Sequence, residues 1–310
     1  MIGVAISEGF DILNLHGAAF AEHAPNLTML RPEQVTDPGA VDFVVTFRPP
    51  ADAFAAYPNL QAVVSAAAGV DAILSCPSLP DNVPVLRVED QDQALQMAGF
   101  AAFHVLWHHR GMDQHLADQA AQHWNRPMFG RSPMERRVGV MGFGLMGRQV
   151  ATQIAALGYP TASLSRRMPA PVVQGVTHFL DDDRAAFLAR TDILINVLPL
   201  TEATRNIMNA ELFAALPKGA AVINIGRGEH LDETALLAAL ETGQISGASL
   251  DAFVTEPLPQ GHPFWVHPRV LVTPHTASAP DSRAVVLSIR DSLARVAAGT
   301  HTDDRQARGY

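Results

Sequence analysis

The stretch Arg137-Val138-Gly139-Val140-Met141-Gly142-Phe143-Gly144-Leu145-Met146-Gly147 decides the fold. The apolar run 138–141 has the length of a buried strand, and residues 148–157 carry helical spacing. Between them Gly142, Gly144 and Gly147 form G-x-G-x-x-G in the strand–turn–helix setting of a dinucleotide-binding loop. Glycines there allow a tight turn and close backbone approach to a pyrophosphate, which the helix N-terminus attracts. Leu145 and Met146 complete the loop as candidate cofactor contacts.

The ribose end of the site is marked by an absence. An NAD site usually carries Asp or Glu about 20 residues on, to bind the 2′-hydroxyl. No acidic residue stands between Arg148 and Leu180, and the expected place reads Ser163-Leu164-Ser165-Arg166-Arg167. Ser165, Arg166 and Arg167 would hold a 2′-phosphate, which a carboxylate would repel. The expected cofactor is NADPH/NADP+, with NADH as the weaker alternative.

Outward from this loop, strand-like runs alternate with helical ones. Residues 2–6, 43–47, 62–66 and 83–88 read as strands before it, with helix-compatible stretches at 51–57 and 71–74. One long helical region is expected from 91 to 124, followed by a connecting loop to 137. After the loop, strands are expected at 161–164, 193–198, 221–225, 248–253 and 270–273, with a last helix at 282–298. Such alternation predicts an α/β fold with doubly wound parallel sheets.

Three polar residues stand at or just past the ends of these later runs. Arg227 follows Val222-Ile223-Asn224-Ile225-Gly226, Glu256 closes Asp251-Ala252-Phe253-Val254-Thr255-Glu256, and His275 ends Thr273-Pro274-His275. Open α/β sheets bind ligands at strand C-termini. A guanidinium can grip an anionic substrate, an imidazole can move a proton, and a carboxylate can orient the imidazole.

The 310 residues suffice for two cores, and 48% hydrophobic content describes a globular protein. A net charge of −9 argues against nucleic-acid binding and an anionic membrane surface. The single cysteine, Cys76, excludes an intrachain disulfide and a Cys-rich zinc site, and fits a reducing compartment. With no signal-like N-terminus and no membrane-length apolar run, the expected location is the cytoplasm. His104 and His108 are spaced for one helix face, but no third ligand accompanies them, so packing is expected and metal binding is not.

With these motifs in hand, the chain resembles the D-isomer-specific 2-hydroxyacid dehydrogenases, and among them the glyoxylate/hydroxypyruvate reductase A subgroup. The resemblance runs over essentially the whole length. It is carried by Ala66-Ala67-Ala68-Gly69-Val70-Asp71, by 142–147, by Leu198-Pro199-Leu200-Thr201 with Thr204, by 223–228, 250–257, Thr273-Pro274-His275, and the ending Ala307-Arg308-Gly309-Tyr310.

The resemblance implies two Rossmann-like domains with the active site in the cleft between them. A discontinuous substrate domain would comprise 1–98 and 282–310, and an NADP-binding domain with a dimerisation helix would comprise 99–281. It implies a homodimer, and NADPH-dependent reduction of small anionic 2-keto acids, glyoxylate and hydroxypyruvate, to D-2-hydroxy acids. Arg227, Glu256 and His275 take the catalytic roles. Ala68 and Gly69 supply backbone amides to the substrate carboxylate, with Arg48 and Trp124 as further pocket residues. Leu198, Pro199, Thr204, Ile225, Gly226, Arg227, Asp251 and His275 join the cofactor set. Phe47 and Arg48 stand where the subgroup more often has Trp and His, which leaves substrate preference open. The alternatives are a family enzyme for a bulkier 2-keto acid or another small anion, such as formate or phosphite, and a dinucleotide-sensing binding protein.

Overall fold

Runs of β-branched residues buried on both sides set the architecture of this protein. The computed structural model describes residues 1–169 and 171–307, without the side chains of 306 and 307. The Arg308-Gly309-Tyr310 ending therefore lies outside the described residues. By contacts, the chain divides into two units, Met1–Gln91 with Pro280–Tyr310, and Asp92–Ala279.

The first unit begins β1 (Ile2–Ile6), α1 (Ile12–His23), β2 (Thr28–Leu30), β3 (Phe43–Thr46), β4 (Ala62–Ser65), α2 (Asp71–Leu74) and β5 (Val85–Leu86). Its sheet is parallel in the order β2-β1-β3-β4-β5. Phe43 and Val45 enter one core and Val44 the other, as the two-residue period of a strand requires.

Strand β2 was not expected, β5 is shorter than the expected 83–88, and two further local features differ from the sequence expectation. Helix α1 was not anticipated; Asp11 caps it by accepting from the amides of Leu13 and Asn14, and Ile12, His16 and Phe20 form its buried face. Residues 51–57, expected to be helix-compatible, form turns between Pro49-Pro50 and Pro58.

The second unit contains α3 (Gln91–Arg110), α4 (Met112–Ala120), β6 (Val138–Met141), α5 (Leu145–Ala156), β7 (Thr161–Ser165), β8 (Val176–Leu180), α6 (Arg184–Ala189) and β9 (Ile193–Asn196). It continues with α7 (Ala210–Ala215), β10 (Ala220–Asn224), α8 (Glu233–Glu241), β11 (Ile245–Leu250) and β12 (Val270–Val272). Gly111, at φ 61°, divides the expected single helix into α3 and α4. The expected domain boundary at 98/99 falls inside α3.

The seven strands are all parallel, in the order β12-β11-β10-β9-β6-β7-β8. Val138, Val140, Ile193, Ile195 and Ile223 fill the core on one face, while Met141, Leu194, Val222 and Leu250 fill the other. The strand order reverses between β6 and β9, which opens a crevice at their C-terminal ends. Strand β11 begins earlier than expected, so 251–253 belong to the loop beyond it. The chain then returns to the first unit with α9 (Ser282–Ala297) and α10 (Asp304–Ala307).

Candidate functional site

The glycine loop sits at the C-terminal end of β6, at the strand-order reversal. Gly142 has φ +97°, and a Cβ there would meet the carbonyl oxygen of Val197 at 3.0 Å. A Cβ at Gly147 would lie 2.1 Å from the carbonyl oxygen of Gly142. Both positions therefore exclude larger residues. Gly144 is the N-cap of α5 and has no side chain to satisfy the helix's first amides, which leaves them for an anion. The loop thus fits a dinucleotide pyrophosphate.

Beyond β7, the hydroxyl of Ser165 donates to the carbonyl oxygen of Arg167 at 2.8 Å, closing a tight turn around Arg166. The loop after β9 is also fixed internally. The Thr204 hydroxyl donates to the Pro199 carbonyl at 2.8 Å and accepts from the Thr201 amide at 2.8 Å.

Arg227 follows β10 and is held by a buried polar network. Its amide donates to Nδ1 of His230 at 3.1 Å, and its carbonyl accepts from the Asn224 side chain at 2.9 Å. Nδ2 of Asn196 lies 2.9 Å from both Oδ1 of Asn224 and Nδ1 of His230. Nδ1 of His230 accepts a backbone N–H, so the proton is on Nε2, which faces the Pro199 carbonyl at 3.2 Å. Ile225 is buried, and a Cβ on Gly226 would press on Asn196 and His230 at 3.0 Å. A Cβ on Gly228 would fall 1.9 Å from the Phe253 carbonyl carbon, so the Arg227 loop lies backbone to backbone against the loop that leads to Glu256.

That second loop delivers Glu256, and the loop after β12 delivers His275. Nδ1 of His275 lies 3.0 Å and 3.1 Å from the two carboxylate oxygens of Glu256. Oε1 of Glu256 also accepts the Phe253 amide at 3.1 Å. With Nδ1–H directed at the carboxylate, Nε2 is the ring atom left to exchange a proton with a ligand. The His275 side chain is 39% exposed, so that face is accessible.

Asp251 supports this arrangement from below. It is 2% exposed, its Oδ1 accepts from Thr273 Oγ1 at 2.7 Å and from the Thr276 amide at 2.9 Å, and its Oδ2 accepts from the Ala277 amide at 2.9 Å. These bonds clamp both sides of His275, whose φ of +54° is left-handed. The family resemblance implies a place for Asp251 beside the cofactor, and its carboxylate holds the His275 loop. The network of Asn196, Asn224 and His230 was not anticipated. An asparagine at the last position of two otherwise apolar strands, β9 and β10, was the available signal.

In the first unit, the loop after β4 has its carbonyls engaged and two amides open. The carbonyl of Ala67 accepts from the Val88 amide at 3.2 Å, that of Ala68 from Nη1 of Arg87 at 3.1 Å, and that of Gly69 from the Ser65 hydroxyl at 2.7 Å. The amides of Ala68 and Gly69 donate to no group among the described residues. Arg48 follows β3, and its guanidinium carbon lies 5.6 Å from the Phe47 ring centroid. Trp124 is 90% exposed on the segment after α4. His104 packs between Phe100 and Phe103, and Nε2 of His108 lies 2.9 Å from the Ser249 hydroxyl.

A parallel sheet with a glycine loop at its switch point, and an Arg, a Glu–His pair and a buried Asp at neighbouring strand ends, describes a nucleotide-dependent oxidoreductase. Comparison with known proteins makes this specific. The sequence model of the D-isomer specific 2-hydroxyacid dehydrogenase NAD binding domain matches residues 102–277. The chain belongs to the D-isomer specific 2-hydroxyacid dehydrogenase family. It is 40% identical to the glyoxylate/hydroxypyruvate reductase A of Serratia proteamaculans, over 91% of each chain. Among solved structures it is similar to a D-isomer specific 2-hydroxyacid dehydrogenase from Xanthobacter autotrophicus in complex with NADPH, at a TM-score of 0.92 and 37% identity, covering 100% of this chain and 99% of that one. It is also similar to an NADPH-dependent glyoxylate/hydroxypyruvate reductase from Sinorhizobium meliloti in complex with NADP, at a TM-score of 0.90 and 33% identity, with coverage of 100% and 99%. Among the described residues, no helix is long and apolar enough to cross a membrane.

Proposed function

We propose that this protein reduces small 2-keto acids, with glyoxylate and hydroxypyruvate as the substrate class, to D-2-hydroxy acids with NADPH. The observation that carries this reading is the His275–Glu256 pair, set on strand ends of the sheet that bears the glycine loop. The relatives named for this reaction, and the neighbours solved with NADPH or NADP, support it.

NADPH, when bound, would supply the hydride. Arg227 binds the substrate carboxylate and polarises the keto oxygen through its planar fork of donors. The open amides of Ala68 and Gly69 would bind a substrate carboxylate. Protonated His275 gives a proton from Nε2 to the oxygen as negative charge develops there, and Glu256 keeps the ring oriented and stabilises its charged form. Gly142, Gly144, Leu145, Met146 and Gly147 would hold the pyrophosphate, with Ser165, Arg166 and Arg167 at the 2′-phosphate. Leu198, Pro199, Thr204, Ile225 and Gly226 would line the nicotinamide side, with Asp251 acting there through the His275 loop. Arg48 would shape the substrate pocket.

Two copies pair through the second unit in this reading, in the cytoplasm. Leu95, Phe103, Leu106, Leu116, Trp124 and Phe129 all stand exposed between residues 92 and 130 and support such a face. The catalytic assignment is tested by keto-acid-dependent NADPH oxidation with His275→Ala. A loss of at least about 10²-fold in kcat is expected, and activity near wild type would overturn it.

A further inference from the structure

The last described residues of the chain are tied to the stretch that leads into Arg87. Arg305 donates from its guanidinium to the carbonyls of Pro80 and Asp81 at 2.8 Å and of Val83 at 2.9 Å. Oδ1 of Asp303 accepts from the amide of Val85 at 3.2 Å and from that of Arg305 at 3.1 Å. Between them, Oδ1 of Asp304 lies 2.8 Å from Nε of Arg87, and both side chains are nearly buried, at 10% and 9% exposure. The other end of the same guanidinium donates from Nη1 to the Ala68 carbonyl at 3.1 Å.

We infer that residues 303–305 form a clip that makes Arg87 a positioning residue for substrate, with Asp304 as its anchor. This rests on the reading that the amides of Ala68 and Gly69 bind the substrate carboxylate. A peptide plane is rigid, so fixing the Ala68 carbonyl fixes the direction of the Gly69 amide that shares its plane. Ser65 takes the Gly69 carbonyl and Val88 takes the Ala67 carbonyl, so the loop is held at three consecutive oxygens. Arg87 is the one of the three holds that depends on a buried ion pair. Arginine suits this place because its fork can serve a carboxylate and a carbonyl at once, while lysine presents a single compact charge.

The test uses steady-state kinetics of the full-length enzyme with glyoxylate and NADPH. Arg87→Lys keeps a charge for Asp304 but loses the second reach to Ala68, and Asp304→Asn removes the anchor's charge. Both variants should raise the glyoxylate KM by about tenfold, with kcat at saturation and the NADPH KM within about twofold of wild type. A purely structural contact would instead lower the active fraction and kcat and leave the glyoxylate KM in place. Should Asp304→Asn not fold, Arg87→Lys carries the test alone. Gly69→Pro, which removes the amide itself, separates the two levels. If Gly69→Pro raises the glyoxylate KM and folded Arg87→Lys does not, the clip is overturned and the loop reading stands. If Gly69→Pro leaves that KM unchanged, both fall.

Discussion

Nδ1 of His275 lies within hydrogen-bond distance of both carboxylate oxygens of Glu256, at 3.0 Å and 3.1 Å. Both residues lie on loops that follow neighbouring parallel strands, β11 and β12. Replacing Glu256 by Gln keeps an acceptor near the ring but removes the charge that favours the imidazolium. The expected result is a fall in kcat of about 10- to 100-fold with the NADPH KM little changed. Steady-state kinetics at neutral pH checks this, and an unchanged kcat would remove Glu256 from the proton-transfer unit.

Asp251 accepts three hydrogen bonds from the residues that flank His275, two of them from backbone amides. In Asp251→Asn one oxygen becomes an NH2 group that faces donors. The loss of these bonds in a buried place should destabilise the unit by about 1–3 kcal/mol and lower kcat by releasing the left-handed His275 backbone. Denaturant unfolding and kinetics on the same preparation measure both effects. Wild-type values in both would show that the clamp has no consequence.

The Ser165–Arg167 turn sets the cofactor preference in this account. Replacing Arg166 and Arg167 together by Ala should raise the NADPH KM by about tenfold or more and leave the NADH KM near its wild-type value. Equal effects on both cofactors would place the 2′-phosphate elsewhere.

Acid should destabilise this protein through its buried histidines. Burial lowers the pKa of His104 from 6.5 to about 4. His108 is lowered to about 3, by burial first and then by the nearby His104 and Arg136. Both rings stay neutral in the folded chain at pH values where the unfolded chain binds protons. Stability is therefore fully present above about pH 6.5 and falls as the pH drops towards 4, by about 1.4 kcal/mol per pH unit for each ring. His16, His109, His178 and His267, also lowered mainly by burial, add to the slope. Asp192, whose carboxyl lies below 3.8, acts only under that window. Between pH 7 and 5, His104→Leu should lose less stability than wild type in denaturant melts. An identical loss would contradict a neutral buried His104.

Strands and the glycine loop were legible because their signals are local. Val138 to Met141 must be buried on both sides, and Gly142 and Gly147 can be nothing larger where they stand. Arg227, Glu256 and His275 could be singled out as candidates because each stands at or just past the end of a strand-like run. What holds them was not visible. His230 reaches Arg227 through three residues of chain but reaches Pro199 across 31, and Asp304 reaches Arg87 only after the chain has returned from the second unit. The backbone of Phe253 leaves Gly228 no room for a side chain, a constraint that nothing near Gly228 in the sequence reveals. Helix α1 was missed because its apolar residues are spread around its circumference; Leu15 stays exposed while His16 is buried.

The measurement that bears most directly on the proposed activity is kcat/KM for glyoxylate at saturating NADPH, repeated with NADH. Turnover with both is expected, with a preference for NADPH of about tenfold or more, as for a phosphate gripped by two guanidiniums. Turnover favouring NADH would contradict the cofactor assignment, and no turnover of glyoxylate or hydroxypyruvate with either would contradict the reaction itself.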